Sequence, residues 1–188
     1  AAAGGMLGEG LTGRLLGVGR GTCRAGGSGS AAVVCRTRNI SPGGLAALQQ
    51  QLGRDHGGKV AVQISTGEPG GHNFLSPALI KDIVHSVNGT IVDANTAYNG
   101  KRATTDDHLK AARDHGFTAI APVDILDAEG EISLPVRGGT HLGEVLVGSP
   151  FANYDSMLVL SPFNVHALAG FGRAVETLSI GLAPRSGK

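Results

Sequence analysis

The side chains best suited to chemistry follow the predicted apolar strands, in the loops that leave each strand. In open parallel sheets ligands collect at the carboxyl ends of the strands, so polar residues at those positions are candidates for a site. Four such loops stand out, and they contain Thr66, Glu68, His72, Asp93, Lys101, Arg102, Asp124 and His166.

The first loop runs from Ser65 to His72 and contains three glycines. Glycines beside the start of a helix can present backbone N–H groups to an anion, with Thr66, Glu68 and His72 as further contacts. The Gly-Lys-Ser/Thr ending of a Walker sequence is absent. The alternative is a long turn that leads into the next helix.

The second loop, residues 93–102, combines an acid with two fixed cations. Asp93 lies near the end of a predicted strand, and Lys101 and Arg102 follow it. Such a set can hold the carboxylate or phosphate of a substrate, and Asp93 is a candidate catalytic residue. A solvated loop would have the same composition.

Asp124 and His166 are the other two candidate catalytic residues. Asp124 ends an apolar strand, and His166 lies where a strand leads into a helix that contains Gly170 and Gly172. These glycines would let a ligand approach the backbone closely, and His166 could act as acid, base or metal ligand. A structural histidine is the alternative. If a divalent metal binds, His72, Asp124 and His166 are its candidate ligands.

Strands and helices alternate along the chain, which predicts the architecture. The predicted strands span residues 32–34, 59–64, 90–94, 118–123, 131–136 and 157–160, followed by a last short strand. The predicted helices span residues 41–53, 76–88, 104–115 and 166–178. The segment between residues 136 and 157 is predicted to be a Gly-rich loop. Short connections of this kind favour an α/β fold, in which consecutive βαβ units form a mainly parallel sheet with helices on both faces.

Composition excludes several classes of protein. The chain has 188 residues, a net charge of +1, 31 glycines without a collagen period and no apolar run of membrane-spanning length. We therefore expect a soluble, cytoplasmic protein that binds neither nucleic acid nor membrane. Two cysteines cannot ligate an iron–sulfur cluster alone. We expect both thiols to be free, with a disulfide between Cys23 and Cys35 as the alternative.

Residues 1–30 differ from the rest of the chain. They are rich in Gly and Arg and lack the continuous apolar core of a secretory signal. We predict a disordered leader over residues 1–30 and a single α/β domain over residues 31–188. A C-terminal truncation of that domain stays open.

Several collinear segments together resemble a known family. They are KVAVQISTGEPGGHNFL at 59–75, NTAYNGKRA at 95–103, DHGFTAIAPVDI at 114–125, FANYD at 151–155 and the stretch from Ser161 to Thr177. The chain is similar to the domain-of-unknown-function family 362 over about residues 32–188. Members commonly carry a ferredoxin-type module after this domain, which implies electron transfer and a ferredoxin-type partner supplied separately here. Both lysines of the family's last stretch are missing, and Glu176 stands at one of them.

Three hypotheses follow from these observations. The first is a domain that binds a small anionic molecule and is linked to redox chemistry in full-length relatives. The second is a metal-assisted hydrolase acting on an ester, lactone or phosphate through His72, Asp93, Asp124 and His166. The third is a non-catalytic remnant.

Overall fold

The described residues form a parallel sheet, two hairpins and four α-helices. In the computed structural model these residues are 22–25, 33–53, 56–163, 170 and 172–188. The strands are β1 Thr22–Ala25, β2 Val33–Arg36, β3 Val60–Gln63, β4 Thr90–Asp93, β5 Val123–Ile125, β6 Glu131–Pro135, β7 Glu144–Gly148 and β8 Ser156–Val159. The helices are α1 Pro42–Gln51, α2 Pro77–Ser86, α3 Thr105–Asp114 and α4 Arg173–Leu182.

The central sheet has four parallel strands in the order β5-β4-β3-β8. All four residues of β3 are buried, as expected when helices cover both faces of a parallel sheet. On one face, Val62 and Ile91 pack with Ile80 of α2 and Ala112 of α3. On the other, Ala61 and Val92 form a smaller cluster that Leu182 of α4 joins. The predicted α/β fold is confirmed.

Side-chain caps fix where two of the helices begin. The Ser41 hydroxyl accepts a hydrogen bond from the Gly44 amide at the start of α1. Thr104 accepts from the Asp107 amide and donates to the Asp107 carboxylate at the start of α3. These contacts satisfy amides that the helix leaves without partners, and they confirm the predicted helix starts.

The predicted strand over residues 118–123 is wrong in its position. Gly116 has a φ of +88°, and a 3₁₀ turn at Phe117–Ala119 follows it. Fully buried Phe117 anchors this turn in the core. Pairing with β4 starts only where the Pro122 carbonyl accepts from the Ile91 amide, so β5 begins at Val123.

The structure corrects two further predictions near the C-terminus. The segment predicted to be a Gly-rich loop contains β7, which pairs antiparallel with β6 in a sheet of its own. Alternate residues of β6 are exposed, as in a hairpin with one solvated face. Helix α4 continues to Leu182, where the sequence predicts its end at Leu178 and then a last strand. Its packing against the sheet holds this apolar segment in the helix.

The N-terminal hairpin corrects the prediction for the cysteines. Strands β1 and β2 pair antiparallel, with Cys23 opposite Cys35, so four residues of the predicted leader form a regular strand. Cys35 is disulfide-bonded. The prediction of a free thiol at Cys35 is therefore wrong, because antiparallel pairing brings distant residues side by side. No helix in the described part of the chain is long and apolar enough to cross a membrane.

Candidate functional site

A buried carboxylate at the end of β4 organises the polar side chains at the carboxyl edge of the sheet. Asp93 is 4% exposed, and its Oδ2 accepts from the Thr66 amide and the Thr66 hydroxyl, both at 2.9 Å. Arg102 Nη1 and His108 Nε2 both lie 3.3 Å from the same oxygen. Thr66, Glu68, Asp93, Arg102 and His108 are called the Asp93 cluster below.

Asp93 stays ionised despite its burial. Burial alone would raise the pKa of this carboxyl, but the hydrogen bond and charge of His108, the charge of Arg102 and the Thr66 amide outweigh it. They hold the pKa of Asp93 below its ordinary value. Asp93 and Arg102 therefore form a buried pair of opposite charges.

His108 joins the cluster from helix α3, and sequence reasoning missed it. The ring is fully buried, with Nε2 2.7 Å from Thr66 Oγ1 and Nδ1 3.2 Å from Asn95 Oδ1. Asn95 Nδ2 donates to Thr105 Oγ1, so Oδ1 is the atom that accepts from Nδ1. His108 precedes buried Ala111 and Ala112 by three and four residues, and this helical spacing is a signal that could have found it.

Arg102 connects Asp93 to the loop that follows β3. Its Nε lies 2.9 Å and its Nη2 2.8 Å from Glu68 Oε1, which also accepts from the Tyr98 hydroxyl at 2.7 Å. Burial works to raise the pKa of Glu68, but the hydrogen bonds from Tyr98 and Arg102 dominate and lower it. Arg102 is 8% exposed, and it pairs with both Asp93 and Glu68. Its charge is therefore shared between two protein carboxylates.

The loop after β3 is pinned so that Thr66 faces Asp93. His115 Nδ1 donates to the Thr66 carbonyl at 2.7 Å, and its ring stacks on Phe74 with centroids 4.1 Å apart. Gly67 has a φ of +78°, and a Cβ there would lie 2.4 Å from the Phe74 ring. Only glycine fits this close approach.

A cavity of about 460 Å³ lies beside the Asp93 cluster and is bordered by α4. It is called the α4 cavity, and its lining is mostly apolar. Its polar side chains include Gln63, Asp93, Arg102, Glu176, Thr177 and Lys188. Gly181 brings α4 close to the sheet, since a Cβ on it would lie 2.0 Å from Gln63 Nε2. A pocket at the carboxyl ends of parallel strands is the usual place for a small ligand in this architecture.

The structure brings together only some of the residues that the sequence predicts. Thr66, Glu68, Asp93 and Arg102 meet in one cluster, whereas His72 and Lys101 are exposed. Gly170 is in the left-handed region with φ +64°, and Gly172 is the N-cap residue of α4. His166 lies outside the described residues.

Asp124 lies apart from the Asp93 cluster. Val92 is in register with Asp124, so Asp124 shares the face of Val92, and Asp93 points to the opposite face. The Tyr154 hydroxyl donates to Asp124 Oδ2 at 2.8 Å. Burial and this hydrogen bond raise the pKa of Tyr154.

Four polar cavity residues lie outside the loops that the sequence singled out: Gln63, Glu176, Thr177 and Lys188. The polar Gln63 inside the apolar run Lys59–Ile64 is a signal that could have found the first. The others depend on where α4 and the C-terminal turn pack, which no local pattern reveals.

Metal binding is the other chemistry that the sequence suggests for this edge of the sheet. Among the described residues, no three His, Cys, Asp or Glu side chains are grouped so as to hold a metal ion. The candidate ligand His72 is exposed, and Asp124 accepts a hydrogen bond from the Tyr154 hydroxyl. The third candidate ligand, His166, lies outside the described residues, so the metal site stays a prediction.

Comparison with known proteins identifies one family. Searches of the curated proteins and of the solved structures found no match to this chain. The sequence model of a family described as domain of unknown function (DUF362) matches residues 60–188, which contain the central sheet, the Asp93 cluster and the α4 cavity. The chain therefore belongs to the DUF362 family.

Proposed function

We propose that this protein binds a small molecule with an acidic group in the α4 cavity. The observation that carries the proposal is the ammonium group of Lys188 at the cavity wall. It makes no ion pair with any described residue and donates instead to the backbone carbonyls of Asn95, at 2.5 Å, and Ala94, at 3.5 Å.

The environment of Lys188 favours an anionic partner. Its burial lowers the pKa of the amine, which means that the charged form is incompletely compensated inside the protein. The charges of Asp93 and Asp127 act in the opposite direction from a distance. A ligand carboxylate or phosphate beside Nζ would supply the missing compensation at short range.

The Asp93 cluster supports the cavity as a rigid wall. Arg102 is committed to Asp93 and Glu68, so it holds the loops after β3 and β4 in place beside the cavity. A site held by buried, hydrogen-bonded neighbours loses little conformational entropy when a ligand binds. We assign to Thr66, Glu68, Arg102 and His108 this positioning role.

The proposal is tested by calorimetric titration with inorganic phosphate and a panel of small mono- and dicarboxylates. We expect at least one of these anions to bind, and we expect Lys188→Met to weaken its binding by tenfold or more. Lys81→Met is the matched control, because Lys81 is exposed on α2. Equal affinities for the wild type and Lys188→Met, or no binding by any anion, would overturn the proposal.

The other sequence-based hypotheses stay predictions. The ferredoxin-type partner rests on the family resemblance, and the metal-assisted hydrolase needs His166, which lies outside the described residues. The third hypothesis, a non-catalytic remnant, predicts that none of the tested anions binds, so the same titration separates it from our proposal.

A further inference from the structure

Two large apolar side chains are exposed at the wall of the α4 cavity. Tyr98, from the loop after β4, is 59% exposed, and Ile180, from α4, is 52% exposed. Both line the cavity, together with Ala94, Ala97 and the backbone of Gly181. Removing apolar surface from water is favourable, so a ligand with an apolar part would gain free energy by covering these side chains.

The Tyr98 ring is already positioned for such a contact. Its hydroxyl donates to Glu68 Oε1 at 2.7 Å and accepts from Arg102 Nη2 at 3.3 Å. These two hydrogen bonds restrain the ring from its polar end. The ring therefore loses little conformational entropy when an apolar group packs on it.

The threonine hydroxyls of the lining are already bonded to the protein. Thr96 Oγ1 donates to the Tyr98 carbonyl at 3.3 Å, and Thr177 Oγ1 lies 3.1 Å from Ser161 Oγ. Arg102 is likewise committed to the Asp93 cluster. These groups have protein partners, so they do not call for polar atoms on the ligand beyond its acidic group.

The cavity is larger than an acidic group alone would fill. Its volume is about 460 Å³, and cavities of roughly 300 to 1,000 Å³ hold drug-sized ligands. An acidic group bound at Lys188 therefore leaves space for the rest of the ligand. A second acidic group in that space is disfavoured, because it would meet apolar side chains and the cavity-lining carboxylate of Glu176.

We infer that the ligand of the α4 cavity is an apolar acid, with one acidic group joined to an apolar body as in a medium-chain fatty acid. The acidic group would bind at Lys188, and the apolar body would pack on Tyr98 and Ile180. This inference rests on the proposed function, since it uses the same cavity and the same lysine. It adds the second recognition element and thereby the chemical class of the ligand.

The test measures how affinity depends on the length and polarity of the body. Butanoate, octanoate and octanedioate are titrated calorimetrically into the full chain, at concentrations below those at which octanoate forms micelles. Each fully buried methylene raises affinity by about fourfold. We expect octanoate to bind tenfold or more tightly than butanoate, and tenfold or more tightly than octanedioate.

Two variants of α4 locate the apolar body. Ile180→Ser removes apolar surface from the cavity wall, so it should lower the ratio of octanoate to butanoate affinity by threefold or more. Val175→Ser is the matched control, because Val175 is 60% exposed on the same helix and lies outside the cavity lining. It should keep the ratio within a factor of two. Both side chains are more than half exposed, so we expect both variants to fold.

The outcomes separate this inference from the proposed function. If butanoate and octanedioate bind as tightly as octanoate, the apolar body is overturned and the acidic-ligand proposal stands. If none of the three binds and the anion panel also fails, both are overturned. Octanoate binding that neither Ile180→Ser nor Lys188→Met weakens would place the fatty acid outside the α4 cavity and would also overturn the inference.

Discussion

The Asp93 cluster and the α4 cavity lie side by side at one edge of the sheet, yet they differ in how their polar groups are satisfied. In the cluster, Asp93 Oδ2 contacts three protein side chains. In the cavity, Gln63 Oε1 has no partner among the described residues, and Lys188 bonds only to backbone carbonyls there. Satisfied polar groups stabilise a fold, whereas unsatisfied ones mark where another molecule is needed.

The largest expected effect comes from breaking the cluster. Arg102→Met leaves the buried carboxylate of Asp93 without its guanidinium, and we expect the free energy of unfolding in urea to fall by about 3 kcal/mol. Lys110→Met is the control, since it removes an exposed pair with Asp114. That variant should leave the free energy of unfolding nearly unchanged, because solvent screens an exposed pair. Equal losses in the two variants would show that the cluster does not stabilise the fold.

Filling the space beside Gln63 should have the next largest effect. Gly181→Ala places a Cβ 2.0 Å from Gln63 Nε2, so α4 must shift or the amide must move. We expect a loss of about 2 kcal/mol in urea unfolding and weaker anion binding. Gly43→Ala, with open space around its Cβ position in α1, should keep or slightly raise stability. A neutral Gly181→Ala would contradict the close packing of α4.

Acid should weaken the cluster in a defined pH window. The folded-state pKa of Asp93 lies below its ordinary value of 3.8, so the stability that this carboxylate contributes is fully present above that value. It is lost as the pH falls through the lower folded-state pKa, because protonation removes the charge that Arg102 pairs with. Urea midpoints measured between pH 2.5 and 7 should fall below about pH 4.

Asp93→Asn supplies the control for this pH dependence. The amide cannot ionise, so the acid limb of the stability curve should be shallower than in the wild type. Parallel acid limbs would show that other carboxylates, such as Glu68, account for the effect.

The smallest effect on stability should come from making the cavity wall apolar. Gln63→Leu removes an acceptor without a partner, so we expect unfolding in the absence of ligand to change by less than about 1 kcal/mol. Thr66→Val, in the satisfied cluster, should cost about 2 kcal/mol, because it removes the hydroxyl contacts to Asp93 and His108 inside the protein. A larger loss of stability in Gln63→Leu than in Thr66→Val would contradict the difference between the α4 cavity and the Asp93 cluster.

Local sequence patterns predicted the cluster better than the cavity. The caps at Ser41 and Thr104 depend on short-range chemistry, and the sequence predicts both. It predicts the ends of β3 and β4 to within one residue of Gln63 and Asp93. The role of Gln63 depends on α4, which lies more than a hundred residues away in the sequence. Long-range packing of this kind leaves little local signal.

The wrong prediction for β7 and the failure to predict His108 also come from long-range packing. The residues of β7 are a strand only because β6 pairs with them, and their Gly-rich surroundings suggested a loop. His108 is on a polar helix, and only its spacing to two buried alanines indicates that it faces the core.

The most direct test is an NMR titration of the wild-type chain with the tightest-binding anion from the panel. We expect the chemical shifts of the Gln63 side-chain amide and of the Thr177 and Gly181 backbone amides to change on binding. The Thr66 amide and the His108 ring should keep their chemical shifts. Shifts confined to Thr66 and His108, with Gln63 and Gly181 unchanged, would contradict this expectation, because the ligand would then occupy the cluster and not the α4 cavity.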